Sequence, residues 1–117
     1  MMVVESLNKS MIYDEIKYDF TYKLIRNRIS LDTGLGNMFV QSYGIEVERQ
    51  NKTEDGMIDI ERDSIISISP QRHKVHSLLQ MLYDNCVSPI HLVEILGEYV
   101  DEFVTDYDSI LRQTANF

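Results

Sequence analysis

Apolar and polar residues alternate along three segments of the first two-thirds of the chain. The clearest segment, IKYDFTYKL, places Ile16, Tyr18, Phe20, Tyr22 and Leu24 on one face and polar residues on the other. Successive side chains of a strand point to opposite sides, so this alternation, with its aromatic content, predicts a strand. We predict strands over residues 16–28, 38–49 and 57–68.

The links between these segments carry turn residues. DTGLGN, residues 32–37, is typical of a loop, and NKTEDG, residues 51–56, ends in the hairpin signal Asp-Gly. Gly44 lies inside the second strand and indicates a bulge or a close backbone approach. Strands joined by a short turn run antiparallel, so we predict a three-stranded antiparallel sheet.

Apolar residues change to helical spacing after Ser69. The segments that begin SPQRHKVHSLL and SPIHLVEILG both repeat apolar residues every three or four positions. Serine is a favoured N-cap and proline fits the first helical position. We predict a helix pair over residues 70–84 and 89–107, in direct contact because only NCVS separates the two. The expected fold class is α+β, with this pair on one face of the sheet.

The second predicted helix is apolar over nearly half of its circumference, which is wider than a surface helix needs. We therefore expect it to pack on both the sheet and the first helix. Gly97 lies at the edge of this apolar face, where a close crossing of backbones would explain it. The apolar residues are Leu92, Val93, Ile95, Leu96, Tyr99, Val100, Phe103, Val104 and Tyr107.

Composition is that of an ordinary globular protein. The 117 residues are 44% hydrophobic and 26% charged, which is sufficient for one core without cross-links. We expect a single domain over residues 1–117, with flexible ends at about 1–12 and 109–117.

The formal net charge of −8 limits the classes of partner. Nucleic acids and anionic membranes both attract clusters of Lys and Arg, and the chain has no such cluster. We therefore expect no membrane binding and disfavour nucleic acid as a partner. Cys86 is the single cysteine and the N-terminus is not a signal peptide, so we expect a cytoplasmic protein.

Carboxylates recur every four residues along the second predicted helix. Glu94, Glu98 and Glu102 share one face, with Asp101 beside them. Like charges at this spacing destabilise a helix by roughly 0.2–0.5 kcal/mol per pair, and acidic residues near its end oppose the helix dipole. Two interpretations stand: a solvated face that keeps the protein soluble, or a docking surface for a basic partner or for cations.

Other candidate chemistry is weak. His73 and His76 share a face of the first helix and His91 begins the second, but no metal-binding motif accompanies them. Cys86 lies near His91, although a small apolar residue also suits a turn. The DTG tripeptide at residues 32–34 matches the aspartic-protease tripeptide, but the chain has no second copy to supply the paired carboxylate. A DNA-binding helix-turn-helix would need basic or amide side chains on its second helix, where this chain has acidic ones. We assign no catalytic residue, metal or cofactor.

The stretches YGIEVER, ERDSIISISPQRHKVHSLLQMLYDNCVSPIHL and ILGEYVDEF resemble a family of small proteins from anaerobic Gram-positive bacteria, classed as a domain of unknown function. The resemblance runs from about Tyr18 to Asp108, and SPQR and SPIHL are its most specific parts. It implies a compact cytosolic domain and brings no activity, substrate, cofactor or catalytic residue.

Three classes of function follow. The favoured one is a non-enzymatic interaction or regulatory module that uses its acidic helix to bind a partner with a basic surface, and edge strands lead us to expect a homodimer. The second is a ligand-binding protein or enzyme with a pocket built from Tyr18, Tyr22, Tyr43 and the histidines. The third is a nucleic-acid-associated regulator, which needs a basic face from Arg26, Arg28, Arg49, Lys52 and Arg62.

Overall fold

The computed structural model describes residues 1–115, with side chains described as far as residue 113. Four strands form one antiparallel sheet in the order β1-β2-β3-β4, and two α-helices follow. The α+β class and the antiparallel sheet are therefore confirmed. The strands are β1 (Met2–Tyr13), β2 (Ile16–Asp32), β3 (Asn37–Lys52) and β4 (Ile58–Ser69).

The predicted number of strands, three, was wrong. Strand β1 occupies most of the segment 1–12 that was expected to be a flexible end, and it pairs with β2 from Met2 opposite Arg26 to Tyr13 opposite Ile16. A two-residue turn joins these strands, and both of its residues, Asp14 and Glu15, have positive φ. Such a turn normally contains glycine, so no hairpin signal is visible at these residues.

Helix α1 (Arg72–Asp84) and helix α2 (Leu92–Ala115) form an antiparallel pair, and a single 3-10 turn (Pro89–His91) precedes α2. Contacts from Lys74 to Asp106 and from Met81 to Tyr99 join the two helices, as expected from their short link. Helix α2 continues beyond the predicted residue 107. The expected flexible end therefore begins inside a helix, and residues 116 and 117 lie outside the described residues.

Ser69 is not the N-cap that its position suggested. Helix α1 begins at Arg72, and its N-cap residue, Gln71, makes no side-chain capping bond. The Ser69 hydroxyl instead accepts a hydrogen bond from the Gln71 N–H and donates one to Asp106. Ser69 is fully buried, so it fastens the end of strand β4 to helix α2.

The core lies between the helices and one face of the sheet. Alternate residues of β2 and β3 are buried there, and the Tyr22 hydroxyl donates to the Val87 carbonyl between the helices. Burial and the neighbouring Cys86 raise the pKa of Tyr22, which remains a neutral donor. The central buried residues are Phe20, Tyr22, Leu24, Ile45, Val47, Val75, Leu79, Leu82, Leu92 and Leu96.

The opposite face of the sheet carries ion pairs in place of a core. Lys23 lies within 4 Å of Glu46 and Glu48, and Arg62 contacts the same two carboxylates from strand β4. The hydrogen bond from Arg62 lowers the pKa of Glu48 below its ordinary value. Charges of opposite sign across neighbouring strands fix the register of this face.

A bulge in strand β4 explains Gly44. Tyr43 pairs with Ser69 and Ile45 pairs with Ile65, so three residues of β4 lie opposite Gly44 alone. The backbone of Ile65 and Ile66 approaches so closely that a Cβ at position 44 would collide with it. The sequence-based interpretation of this glycine is therefore confirmed.

Candidate docking surface on helix α2

Helix α2 packs along strand β4 and buries only part of its apolar surface. Leu92, Leu96 and Tyr107 are buried, and the Tyr107 hydroxyl hydrogen-bonds with Ser42 and Ser67 at the bulge. These contacts hold the helix alongside the edge of the sheet that is opposite to β1. Tyr99, Phe103 and Asp106 contact helix α1, and the remaining circumference of α2 faces outwards.

Three apolar residues that the sequence suggested for the core are exposed. Val93 is 56% exposed, Val104 is 53% exposed and Ile95 is 38% exposed. The predicted apolar face was too wide because residue type alone does not separate a core position from a surface one.

An apolar stripe runs along the outer surface of α2. We define it as Ile90, Val93, Gly97 and Val104, with Ile90 in the preceding 3-10 turn and 66% exposed. In α2 these residues are four and then seven positions apart, a spacing that keeps side chains on one side of a helix. A Cβ at Gly97 would meet no atom within 4 Å, so nothing in the described chain requires glycine there.

An acidic ridge adjoins this stripe. We define it as Glu94, Glu98, Asp101 and Glu102, all of which are exposed. At about 100° per residue, the ridge occupies the side of the helix next to the stripe. His91 lies 3.5 Å from Glu94, and within residues 1–113 no other ion pair reaches the ridge. The four predicted ridge residues therefore share one solvent-facing surface.

Asp106, a neighbour of the ridge in sequence, has a different role. It accepts hydrogen bonds from Lys74 of α1, at 2.8 and 3.0 Å, and from Ser69, at 2.8 Å. Burial pushes the pKa of this carboxyl upwards, but these hydrogen bonds outweigh it and hold the pKa below its ordinary value. The unfavourable charge near the end of α2 is thus partly compensated by a lysine from the other helix.

The histidines do not converge on one site. His76 Nδ1 lies 3.0 Å from Glu5 on strand β1, and exposed His73 lines a shallow depression with these residues. His91 is on the other helix, beside the acidic ridge. Among the described residues, no group of three or more histidine, cysteine, aspartate or glutamate side chains is placed to hold a metal ion.

Cys86 lies in the link between the helices with a positive φ of 51°. Lys9 of strand β1 reaches it: the Lys9 ammonium is 3.3 Å from the Cys86 Sγ, lies over the Tyr83 ring and donates to the Tyr83 carbonyl. Lys9 has no carboxylate within 4 Å among the described side chains. Sequence reasoning missed Lys9 because strand β1 was not predicted.

The residues predicted for a ligand pocket and those predicted for a nucleic-acid-binding face are dispersed over the structure. Tyr22 and Tyr43 are buried in the core, whereas the three histidines are exposed on the surface. Arg49 pairs with Glu61, and Arg62 pairs with Glu46 and Glu48. These two arginines lie on opposite faces of the sheet by their strand register, so the expected basic residues do not form one patch.

Within residues 1–115, no helix combines the length and apolarity needed to cross a membrane. No curated protein and no solved structure matches the chain. One family model does, over residues 1–102, which include all four strands, helix α1 and the acidic ridge. The chain therefore belongs to the family described as Family of unknown function (DUF6514).

Proposed function

We propose that this protein is a non-enzymatic interaction module whose helix α2 docks a basic amphipathic helix of a partner protein. One observation carries the proposal: the apolar stripe and the acidic ridge adjoin each other on the outer surface of α2. The partner helix would cover the stripe with its apolar face and direct lysines or arginines towards the ridge.

Burial of the stripe supplies the affinity. Burying a valine or isoleucine side chain contributes roughly 1.5–3 kcal/mol relative to leaving it exposed, against which the entropy of association must be set. Ile90, Val93 and Val104 are all more than half exposed. Gly97 favours the same role, because glycine lets another backbone approach closely and no contact among the described residues uses that freedom.

The ridge supplies selectivity. Complementary charges accelerate encounter and disfavour wrong partners, and both effects weaken as salt concentration rises. A second copy of α2 would bring two acidic ridges together, so this surface does not suit self-association. A solvated face alone would account for the carboxylates, but it does not account for the exposed apolar stripe beside them.

The experiment is a comparison of four baits in an affinity capture from host lysate at low salt. The ridge variant is Glu94→Gln, Glu98→Gln, Glu102→Gln. Its matched control removes three exposed acids elsewhere, Glu15→Gln, Glu54→Gln and Asp59→Asn. The fourth bait, Gly97→Leu, places bulk on the stripe where the fold leaves space.

We expect one protein to be captured by the wild type and the control, lost from the ridge and Gly97→Leu baits, and released by moderate salt. The captured protein should contain a basic amphipathic helix that binds as an isolated peptide. Equal capture by the wild type and the ridge variant would contradict the proposal.

We also propose a cytoplasmic location, in an anaerobic Gram-positive bacterium. The single free cysteine, partly buried beside Lys9, supports a reducing compartment. The SPQR and SPIHL segments resemble those of a protein family from anaerobic Gram-positive bacteria, which supports this bacterial source.

A further inference from the structure

Strand β1 forms one edge of the sheet, so within residues 1–115 no strand lies beside one side of its backbone. The strand is 12 residues long, about 40 Å, whereas strands in globular proteins average five or six residues. Long edges invite pairing with another chain unless they are protected by charge, proline or a covering element. Strand β1 has no proline and only two charged residues, Glu5 and Lys9.

We propose that two copies of this chain form a homodimer by antiparallel pairing of their β1 strands about a twofold axis at Leu7. The two sheets would then join into one sheet of eight strands. This proposal concerns a surface at the opposite edge of the sheet from helix α2, so it does not depend on the partner proposed for the acidic ridge.

The sequence of β1 is complementary to itself about Leu7. In antiparallel pairing about that residue, Glu5 of each chain lies opposite Lys9 of the other, and Ser6 lies opposite Asn8. Directly opposed side chains have Cβ atoms about 4.5–5.5 Å apart, close enough for an ion pair. Within this strand, only an axis at Leu7 places the carboxylate opposite the ammonium.

Lys9 carries the second argument. Its ammonium is held between the Tyr83 carbonyl and the Cys86 sulfur, is partly buried, and has no carboxylate within 4 Å among the described side chains. An ammonium has three donors, so one remains for a carboxylate that arrives from outside the chain. Glu5 of the second copy is that carboxylate in the Leu7 register.

Glu5 can serve both chains. It already lies near His76 at 3.0 Å and Arg72 at 3.5 Å, and a carboxylate has about four acceptor positions. The pairing between the two β1 strands would end at Glu5. The pairing of β1 with β2 shifts between Val3 and Glu5, and the Val4 carbonyl already accepts a hydrogen bond from Arg72. The symmetric segment is thus Glu5 to Lys9.

Charge over the whole molecule favours this edge. Two chains that each carry −8 repel, so they associate best where the local charge is balanced. Strand β1 carries one positive and one negative side chain, whereas the acidic ridge is on the helix beside β4. Pairing through β1 places the two ridges at opposite ends of the joined sheet.

The first test is the molar mass of the wild type by sedimentation equilibrium or light scattering across the micromolar range. We expect twice the chain mass, and a monomer throughout this range would overturn the proposal. Lys9→Glu and Glu5→Lys should each weaken the dimer at least tenfold. The double variant Glu5→Lys, Lys9→Glu should dimerise more strongly than either single variant, because the opposed pair is rebuilt with its signs exchanged. It should fall short of the wild type, because Lys9 loses its contact with Tyr83 and Glu5 its contact with Arg72.

A second test does not depend on how well the charge variants fold. In a Cys86→Ser background, Leu7→Cys places two thiols on the axis, where mild oxidation should link the chains. The control, Ser10→Cys in the same background, places its two thiols about 20 Å apart in this register, far beyond disulfide reach. A dimer that links equally through both positions, or through neither, would overturn the Leu7 register.

Discussion

Gly44 and Gly97 show how differently two glycines inside regular elements can be used. At Gly44 a Cβ would collide with the backbone of Ile65 and Ile66, whereas at Gly97 it would meet nothing within 4 Å. We expect Gly44→Ala to destabilise the protein by about 3 kcal/mol, since the bulge must open to admit the methyl group. Gly97→Ala should stabilise it by up to about 1 kcal/mol through helix propensity. Urea unfolding of both variants checks this, and a neutral Gly44→Ala would contradict the close approach.

Asp106 gives the protein a stability that depends on pH. Its pKa is held below the ordinary range in the folded state, so its contribution is fully present above the unfolded value, about 3.9. The contribution is lost as pH falls through the lower, folded pKa. We expect Asp106→Asn to lose about 1–3 kcal/mol at neutral pH, because Lys74 and Ser69 lose a charged acceptor.

The control for Asp106 is Asp101→Asn, which changes an exposed carboxylate on the same helix. Thermal unfolding between pH 3 and 7 should show the difference between wild type and Asp106→Asn shrinking as acid is added. An undiminished difference at the lowest pH would mean that the ion pair does not contribute.

Repulsion among the carboxylates of the acidic ridge lowers the stability of helix α2 by a small amount. Glu94 to Glu98 and Glu98 to Glu102 are like-charged pairs four residues apart, together worth at most about 1 kcal/mol. We expect the triple glutamine variant of the ridge to melt slightly higher than the wild type. The gain should fade in high salt, and calorimetry at two salt concentrations measures both. A lower melting temperature would show that the glutamates have partners within the fold.

Strands β2 and β3 could be predicted because each has a run of alternating residues with one face in the core. The same alternation predicted β4, but its Ile58 and Ile60 are exposed on the face of the sheet that carries the ion pairs. Strand β1 could not be predicted, since Val3 and Val4 are adjacent at its bulge and polar residues occupy both of its faces. The hairpin between β1 and β2 could not be predicted either, because its turn residues, Asp14 and Glu15, adopt positive φ although neither is glycine. The acidic ridge was visible from spacing alone, whereas the apolar stripe needed the exposure of each side chain.

At the scale of the whole molecule, the fold is elongated, with extents of 62 × 21 × 20 Å. Its radius of gyration is 17.1 Å, against about 13 Å for a compact chain of this length. The cause is the hairpin of β2 and β3, in which residues 28–41 pair only with each other beyond the ends of β1 and β4. Gel filtration would therefore overstate the mass, and the oligomeric state has to be measured by a method that is independent of shape.

The strand order β1-β2-β3-β4 has a consequence for biosynthesis. Each strand pairs with the strand that directly precedes it in the chain, so no pairing has to wait for a segment made much later. A ribosome would therefore release the sheet one hairpin at a time, and local connections of this kind close faster than crossovers. The helix pair is synthesised last and covers the apolar face of the sheet. Until then this face is exposed and accessible to nascent-chain chaperones.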